Sequence, residues 1–148
     1  MGKFGKVIHL GIVVEDARQS AEIYERELGI GPWEISDHAE FFADKLVNGT
    51  VGTDFASAMY REDQFELELI SPNGAGVYAD WLKEHGPSLH HVKLKTEETY
   101  ADVLDTAQRV SGRKPYLEIK WPDGTPIVAY ADMLKETGLL LEVGYAAG

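Results

Sequence analysis

The chain has no cysteine among its 148 residues. Disulfide bonds, thiolate metal ligands and a cysteine nucleophile are therefore excluded, and any metal ion must be bound by imidazole and carboxylate groups. The sequence also has no apolar run of the roughly 18 to 20 residues that a transmembrane helix needs. Its amino-terminal stretch has no small-residue cleavage site of the kind found in signal peptides. We therefore expect a cytoplasmic protein that makes no membrane contact.

Basic residues are scarce relative to acidic ones. There are 14 lysines and arginines against 25 aspartates and glutamates, which gives a formal net charge of -11. A surface that binds nucleic acid needs a basic patch to displace counterions from phosphates, so we expect no nucleic-acid partner. A small molecule or a protein partner is left as the expected ligand. The length and the apolar fraction of 44% are typical of one globular domain, which we expect to span residues 1–148.

The first half of the chain is predicted to form a strand, a helix and three more strands. Residues 6–14 are rich in β-branched side chains, which favours a buried strand. Apolar residues recur every three or four positions over residues 17–28, which favours a helix that begins after Asp16 and ends at Gly29. The three further extended stretches are at residues 33–36, 51–60 and 65–70.

The same order of elements is predicted for the second half. A strand at residues 89–95 precedes a helix at residues 97–110. The extended stretches that follow are at residues 115–120, 127–132 and 139–143. This internal repeat predicts an α+β fold with two tandem β-α-β-β-β modules, at about residues 5–72 and 88–146, joined by a helical linker.

Histidine and glutamate occupy corresponding places in the two predicted modules. His9 and His91 lie in the first strand of their modules, and Glu68 and Glu142 lie in the last strand. A lone histidine in an apolar strand is most often a hydrogen-bonded core residue, and strand alternation allows each glutamate to face solvent. If the carboxylates face inward instead, a cation must compensate for their burial. The residue pattern alone leaves both interpretations open.

Several motifs together resemble one protein family. They are Ile8-His9-Leu10-Gly11-Ile12, Gly31-Pro32-Trp33, Leu67-Glu68-Leu69-Ile70-Ser71-Pro72, Leu89-His90-His91-Val92 and Gly138-Leu139-Leu140-Leu141-Glu142. These motifs resemble the vicinal-oxygen-chelate superfamily, also called the glyoxalase/bleomycin resistance/dioxygenase superfamily, and within it the branch of the methylmalonyl-CoA epimerases. The resemblance implies a curved mixed sheet around a metal-binding cleft, and assembly as a homodimer.

The resemblance also implies roles for individual residues. His9, Glu68, His91 and Glu142 match the four metal-ligand positions of the family, for one divalent ion of cobalt, nickel, zinc or manganese. Glu142 also matches the position that transfers the proton. Asp54 lies near the place where the epimerases carry a second catalytic glutamate, and it is our candidate for that role.

Aromatic and basic residues are candidates for contact with the substrate. Trp33, Phe55 and Tyr130 are expected to line an apolar substrate pocket. A coenzyme A thioester would also need a local basic patch, for which Arg113 and Lys114 are candidates. His90 is expected to face the opposite side of its strand from His91 and either to have a structural role or to support a metal ligand.

The function implied by this resemblance is that of a metal-dependent isomerase or epimerase. Such an enzyme removes a proton next to the carbonyl group of a small carbonyl or acyl-thioester substrate and forms an enolate intermediate. Epimerases often carry glutamine where Glu68 stands, and a glutamate there resembles glyoxalase I, so a lyase is one alternative. A non-catalytic drug-sequestering protein of the same fold is another. A ring-cleaving dioxygenase is disfavoured, because the iron site of such enzymes consists of two histidines and one glutamate, whereas this chain has four candidate ligands.

Overall fold

The computed structural model describes residues 3–145. Residues 1, 2 and 146–148, at the ends of the expected domain and of the second predicted module, lie outside this range. The described residues form ten strands, four α-helices and a short 3-10 helix, so the predicted α+β fold class is confirmed. Within the same range, every helix is too short or too polar to cross a membrane.

The elements follow the predicted order of strand, helix and strands in each half of the chain. The strands are β1 (Phe4–Val13), β2 (Glu34–Ser36), β3 (Leu46–Val47), β4 (Thr50–Val51), β5 (Phe55–Glu62), β6 (Phe65–Pro72), β7 (Ser88–Thr96), β8 (Leu117–Lys120), β9 (Pro126–Met133) and β10 (Leu139–Gly144). The helices are α1 (Ala17–Leu28), α2 (Val77–His85), α3 (Tyr100–Ser111) and α4 (Leu134–Thr137), with the 3-10 helix at Glu40–Phe42.

Most predicted elements differ from the observed ones by one or two residues at an end, but some differences are larger. The stretch predicted as one strand at residues 51–60 is divided into β4 and β5 by an irregular segment at residues 52–54, in which Gly52 has a φ of 92°. Helix α3 begins three residues later than predicted, because the Thr99 side chain accepts a hydrogen bond from the amide of Asp102 and caps the helix there. Strand β3 and helix α4 were missed because such short elements show no periodic pattern.

The chain folds into two compact units. The first unit consists of residues 9–43 and 53–90. The second unit consists, within the described range, of residues 3–8, 44–52 and 91–145. The hairpin of β3 and β4 therefore belongs to the second unit, although it lies in the first half of the sequence.

In the first unit, strands pair in the order β2-β5-β6-β1 and helix α1 packs on one face of this sheet. Strands β1 and β6 are parallel, with His9 opposite Glu66 and Gly11 opposite Glu68. Because adjacent residues of a strand face opposite sides, His9, Glu66 and Glu68 share one face. The core beneath α1 includes Leu69, the next residue along β6, so these three polar residues lie on the face opposite to α1.

Helix α1 begins and ends at the predicted residues. The Asp16 carboxylate accepts a hydrogen bond of 3.0 Å from the amide of Gln19, which satisfies one of the free amides of the first turn. Gly29 follows the last turn with a φ of 68°, a left-handed conformation in which a side chain is disfavoured. Between these two ends, the buried Ala21 packs against the sheet.

In the second unit, strands pair in the order β7-β10-β9-β8-β3-β4 and helix α3 packs on β9 and β10. Val103 of α3 contacts the cross-strand pair of Ala129 and Val143. The neighbouring pair, Tyr130 and Glu142, therefore faces away from α3.

The β3–β4 hairpin is attached to the edge of β8. Val47 pairs with Ile119, and the Asn48 side-chain oxygen accepts a hydrogen bond of 2.9 Å from the amide of Glu118. The ammonium group of Lys45 lies 4.6 Å from the centre of the Trp121 ring, a favourable cation–π contact. The hairpin covers backbone groups of β8 that an edge strand would otherwise expose.

Removing the cap of helix α1 should destabilise the protein. We expect D16A to lower the free energy of unfolding by about 1 kcal/mol, because the amide of Gln19 loses its acceptor. D16N, which keeps a capping oxygen but not the charge, should retain most of the stability. Urea unfolding followed by circular dichroism measures both variants. Equal losses in D16A and D16N would show that the charge, and not the cap, matters.

Candidate active site

In the first unit, the imidazole of His9 lies between two carboxylates. Its Nδ1 is 3.0 Å from Oε1 of Glu66, and its Nε2 is 3.2 Å from Oε1 of Glu68. The His9 side chain is 6% exposed and that of Glu68 is 17% exposed. Two of the predicted metal ligands, His9 and Glu68, are therefore in direct contact, in a position that is nearly closed to solvent.

Glu66 is a functional candidate that the sequence analysis did not single out. Its second oxygen, Oε2, accepts a hydrogen bond of 2.8 Å from Nε of Arg61, and Nη1 of Arg61 donates to the carboxylate of Glu34. Partial burial on its own raises the pKa of Glu66, but the hydrogen bonds from His9 and Arg61 outweigh it and hold that pKa below its ordinary value. The sequence signal that could have identified Glu66 is its position two residues before Glu68 on one strand, which places both side chains on the same face.

In the second unit, the buried imidazole of His91 lies beside Glu142 and Tyr130. Its Nε2 is 3.9 Å from Oε1 of Glu142, and its ring stacks on Tyr130 with ring centres 4.4 Å apart and planes 15° apart. Glu142 keeps 15% of its side chain exposed. The structure thus brings together a predicted ligand pair and one residue predicted to line the substrate pocket.

Glu142 lines a cavity of about 660 Å³ within the second unit. This volume falls in the range of small-molecule binding sites. Lys93, Lys95, Glu97 and Glu98 line the same cavity. The cavity is therefore lined by charges of both signs.

Trp33 packs mainly in the core of the first unit. Its ring centre lies 5.4 Å from that of Tyr24 and 5.6 Å from that of Tyr60, on the side of the sheet that α1 covers. An edge of Trp33 also lines a small cavity of about 260 Å³ together with Arg61. Its role in substrate binding stays a prediction.

Phe55 is buried in a group of aromatic rings. Its ring centre lies 5.8 Å from that of Phe42 and 5.1 Å from that of Tyr78. Phe55 is opposite Pro72 in the β5–β6 pair, on the same face as Glu68 but four residues along β6 from it. At about 3.3 Å per residue this separation is about 13 Å. A contact between Phe55 and substrate also stays a prediction.

His90 packs against helix α2, as strand alternation predicts for the neighbour of His91. Its ring centre lies 5.3 Å from that of Tyr78 and 4.7 Å from that of Trp81. The residue is buried, with a relative exposure of 2%. These contacts are those of a structural residue.

Asp54 is engaged in hydrogen bonds at the beginning of β5. Its carboxylate accepts from Nδ1 of His38 at 2.9 Å and from the amide of Ala39 at 3.3 Å. Asp54 lies five residues, or about 17 Å along an extended strand, from Met59, which is the residue opposite Glu68. Its role as the second acid–base group stays a prediction, and its contacts favour a role in holding the loop at residues 37–42.

The candidate basic patch at Arg113 is neutralised within the second unit. Its guanidinium group lies 2.6 Å from Oε1 of Glu136 and 3.4 Å from Oδ2 of Asp132. Two carboxylates thus compensate its charge, which disfavours Arg113 as an anchor for the phosphates of coenzyme A.

Comparison with known families agrees with this fold. The profile of the glyoxalase/bleomycin resistance protein/dioxygenase superfamily matches residues 8–116. The chain therefore belongs to this superfamily, and the family resemblance seen in the sequence is confirmed. No curated protein sequence matches the chain.

Solved structures with the same fold include methylmalonyl-CoA epimerases. A single-substitution variant of the Streptomyces coelicolor epimerase, in complex with 2-nitronate-propionyl-CoA, is 18% identical, with a TM-score of 0.62 over 98% of this chain and 96% of that one. The Mycobacterium tuberculosis epimerase is 15% identical, with a TM-score of 0.59 over 100% and 92% of the two chains. A hypothetical protein from Bacillus halodurans is equally similar, at 15% identity and a TM-score of 0.59 over 97% and 95%. At these low sequence identities, the likeness shows a shared fold alone.

The pair of His38 and Asp54 should titrate together. The hydrogen bond to Asp54 and its negative charge raise the pKa of His38, and the hydrogen bond from His38 lowers the pKa of Asp54. The pair is therefore charged between the two pKa values and weakens as the pH rises through that of His38. We expect D54N to lower the pKa of His38 towards about 6.5, as measured by NMR titration of the ring protons.

D37N is the matched control for this titration. Asp37 is a neighbouring charge that also raises the pKa of His38, but its carboxylate accepts hydrogen bonds from Arg18. D37N should therefore shift the pKa of His38 less than D54N does, and added salt should reduce that smaller shift further. Equal shifts in the two variants would contradict a specific His38–Asp54 hydrogen bond.

Proposed function

We propose that this protein is a divalent-metal-dependent isomerase or epimerase that removes and returns a proton next to a carbonyl group. The observation that carries the proposal is the pairing of a buried imidazole with a carboxylate in each unit, His9 with Glu68 and His91 with Glu142. Membership of the superfamily and the fold shared with methylmalonyl-CoA epimerases support it.

We propose that these four side chains bind one metal ion together. Two imidazoles and two carboxylates suit cobalt, nickel, zinc or manganese, and they leave ligand positions for solvent or substrate on a six-coordinate ion. Carboxylates that are largely buried also need a positive charge to offset the cost of their burial. The chemistry of the donor set therefore fits a divalent cation.

Glu142 is the proposed base. Its side chain is 15% exposed, and Glu142 is one of the residues that line the large cavity of the second unit. Glu142 would accept the proton from the carbon next to the carbonyl group and later return it. A bound divalent cation supplies Lewis-acid stabilisation of the negative charge that develops on the carbonyl oxygen.

Inversion at carbon also needs a proton donor on the opposite side of the substrate. The sequence-based candidate for this donor is Asp54. A D54N variant that keeps proton exchange but loses inversion would support this role, whereas one that keeps both activities would remove Asp54 from the mechanism.

The proposed substrate is a small carbonyl compound or an acyl thioester. Related epimerase structures hold methylmalonyl-CoA or 2-nitronate-propionyl-CoA. In this chain, Lys93 and Lys95 could bind an anionic group of the substrate, and the acidic residues Glu97 and Glu98 along the same cavity limit how much negative charge it accepts. A substrate panel should therefore contain both coenzyme A thioesters and uncharged carbonyl compounds.

A lyase of the glyoxalase I kind is the second candidate. The observation that favours it is a carboxylate at position 68, in contact with His9, where the epimerases often carry an amide. Glutathione-dependent turnover of methylglyoxal would identify the lyase. Assembly as a homodimer and location in the cytoplasm stay predictions from the sequence.

The proposed metal site predicts the result of ligand replacement. We expect the protein to bind one equivalent of Co²⁺, and we expect H9A, E68A and H91A each to weaken binding at least about tenfold, because each removes a direct ligand. Competition with a chromophoric chelator measures the dissociation constants. Unchanged binding in any two of these variants would refute the site.

The proposed base predicts the result of an isosteric replacement of Glu142. Solvent deuterium should enter the substrate of the wild-type protein, and E142Q should slow this exchange by about 10² to 10⁴ when metal is saturating, because the amide cannot accept the proton. E22Q, an exposed change on helix α1 with the same loss of charge, is the control. Exchange at the wild-type rate in metal-loaded E142Q would exclude Glu142 as the base.

A further inference from the structure

Glu66 belongs to a chain of side chains that ends on a proposed metal ligand. Glu34 accepts from Nη1 of Arg61, Nε of Arg61 donates to Oε2 of Glu66, and Oε1 of Glu66 lies 3.0 Å from Nδ1 of His9. The register supports this order, because Glu66 is opposite both His9 in β1 and Arg61 in β5. Glu34 is opposite Met59, so it lies on the same face.

The two nitrogens of His9 cannot both be acceptors or both serve as metal ligands here. A neutral imidazole has one N–H and one lone pair, and the partner of one nitrogen fixes the state of the other. With the N–H on Nδ1 donated to Glu66, a cation can replace the proton that Nε2 would otherwise donate to Glu68, 3.2 Å away. This is the arrangement in which His9 and Glu68 can bind the same cation.

Glu66 and Glu68 differ in their surroundings, and the difference separates their roles. Glu66 already has one oxygen bonded to Arg61 and is 39% exposed, whereas Glu68 is 17% exposed. Arg61 is 55% exposed, and ion pairs in such positions add little to stability. We therefore interpret the series of side-chain hydrogen bonds from Glu34 to His9 as a means of orienting His9 rather than as a source of stability.

We propose that Glu66, held by Arg61 and Glu34, is a positioning residue that keeps the proton of His9 on Nδ1 and directs Nε2 to the metal. This inference rests on the proposed metal site. A carboxylate bonded to the far nitrogen of a ligating imidazole fixes the ring and makes it a stronger ligand, and its loss typically weakens metal binding about 10- to 100-fold.

The test compares Co²⁺ binding in E66A, E66Q and E62Q. We expect E66A to raise the Co²⁺ dissociation constant about 10- to 100-fold and E66Q to raise it less, because an amide oxygen still accepts a hydrogen bond from Nδ1. Glu62 follows Arg61 on β5, and its carboxylate accepts from the hydroxyl of Tyr60. E62Q removes the same charge and should leave the constant within about twofold of the wild-type value. The melting temperature of the apo protein should be almost unchanged in E66Q and E62Q, which both keep an accepting oxygen.

The outcomes separate this inference from the proposed function. If E66A behaves like E62Q, Glu66 does not position His9, although the metal site stands. If E66Q weakens binding as much as E66A does, accepting the Nδ1 proton is not what Glu66 contributes, and the proposed role is again wrong. If the wild-type protein binds no Co²⁺, the proposed function fails.

A metal-independent measurement tests the orientation of His9 directly. In the apo protein, ¹⁵N NMR of the imidazole should show a protonated, exchange-protected Nδ1, and this protection should be lost in E66A because the proton loses its acceptor. R61A should reduce the protection partly, since Glu66 then loses its second contact. An unprotonated Nδ1 in the wild-type protein would overturn the inference, whatever the metal affinity.

Discussion

The parallel pairing of β1 with β6 is the constraint on which the candidate site depends. It sets His9 beside Glu66 and one step from Glu68, and all three side chains point to the same face. A shift of this register by one residue would turn the carboxylates to the side covered by α1 and bring leucines beside the imidazole. Gly11, opposite Glu68, adds no side chain to the face and leaves room for Glu68 to reach His9. The chemistry of the first unit is thus decided by the backbone hydrogen bonds of this strand pair.

The second unit reaches a comparable result with antiparallel strands. Here Tyr130 and Glu142 are directly opposite each other on β9 and β10, and Tyr130 stacks on His91 of β7. The aromatic ring limits the rotation of the imidazole in the way that Glu66 does for His9, but by packing rather than by a hydrogen bond. Helix α3 fixes the same strands from the other face. Each imidazole is therefore held by a neighbour that is not itself a proposed ligand.

The elements that carry the ligands could be predicted because local physical chemistry determines them. The β-branched run around His9 and the caps of helix α1 each have one favourable conformation, and family motifs supplied the ligand assignment. Glu66 escaped notice because the alternation of residues 65–69 fits a solvent-exposed carboxylate equally well. Only the register of β1 and β5 against β6 shows that it lies between an imidazole and a guanidinium group. The aromatic neighbours of Trp33 and the imidazole partner of Asp54 are likewise tertiary contacts that no sequence pattern gives.

The attachment of the β3–β4 hairpin to β8 has a consequence for how this chain can vary. The two halves of the sequence look like tandem copies, yet residues encoded in the first half complete the sheet edge of the second unit. A fragment cut at the linker helix would leave β8 with an open edge, prone to pairing with other molecules. Recombination that exchanged one half for a homologous half would have to preserve the fit between Asn48 and Glu118. The second unit is therefore complete only when residues from both halves of the sequence are present, despite their repeated pattern.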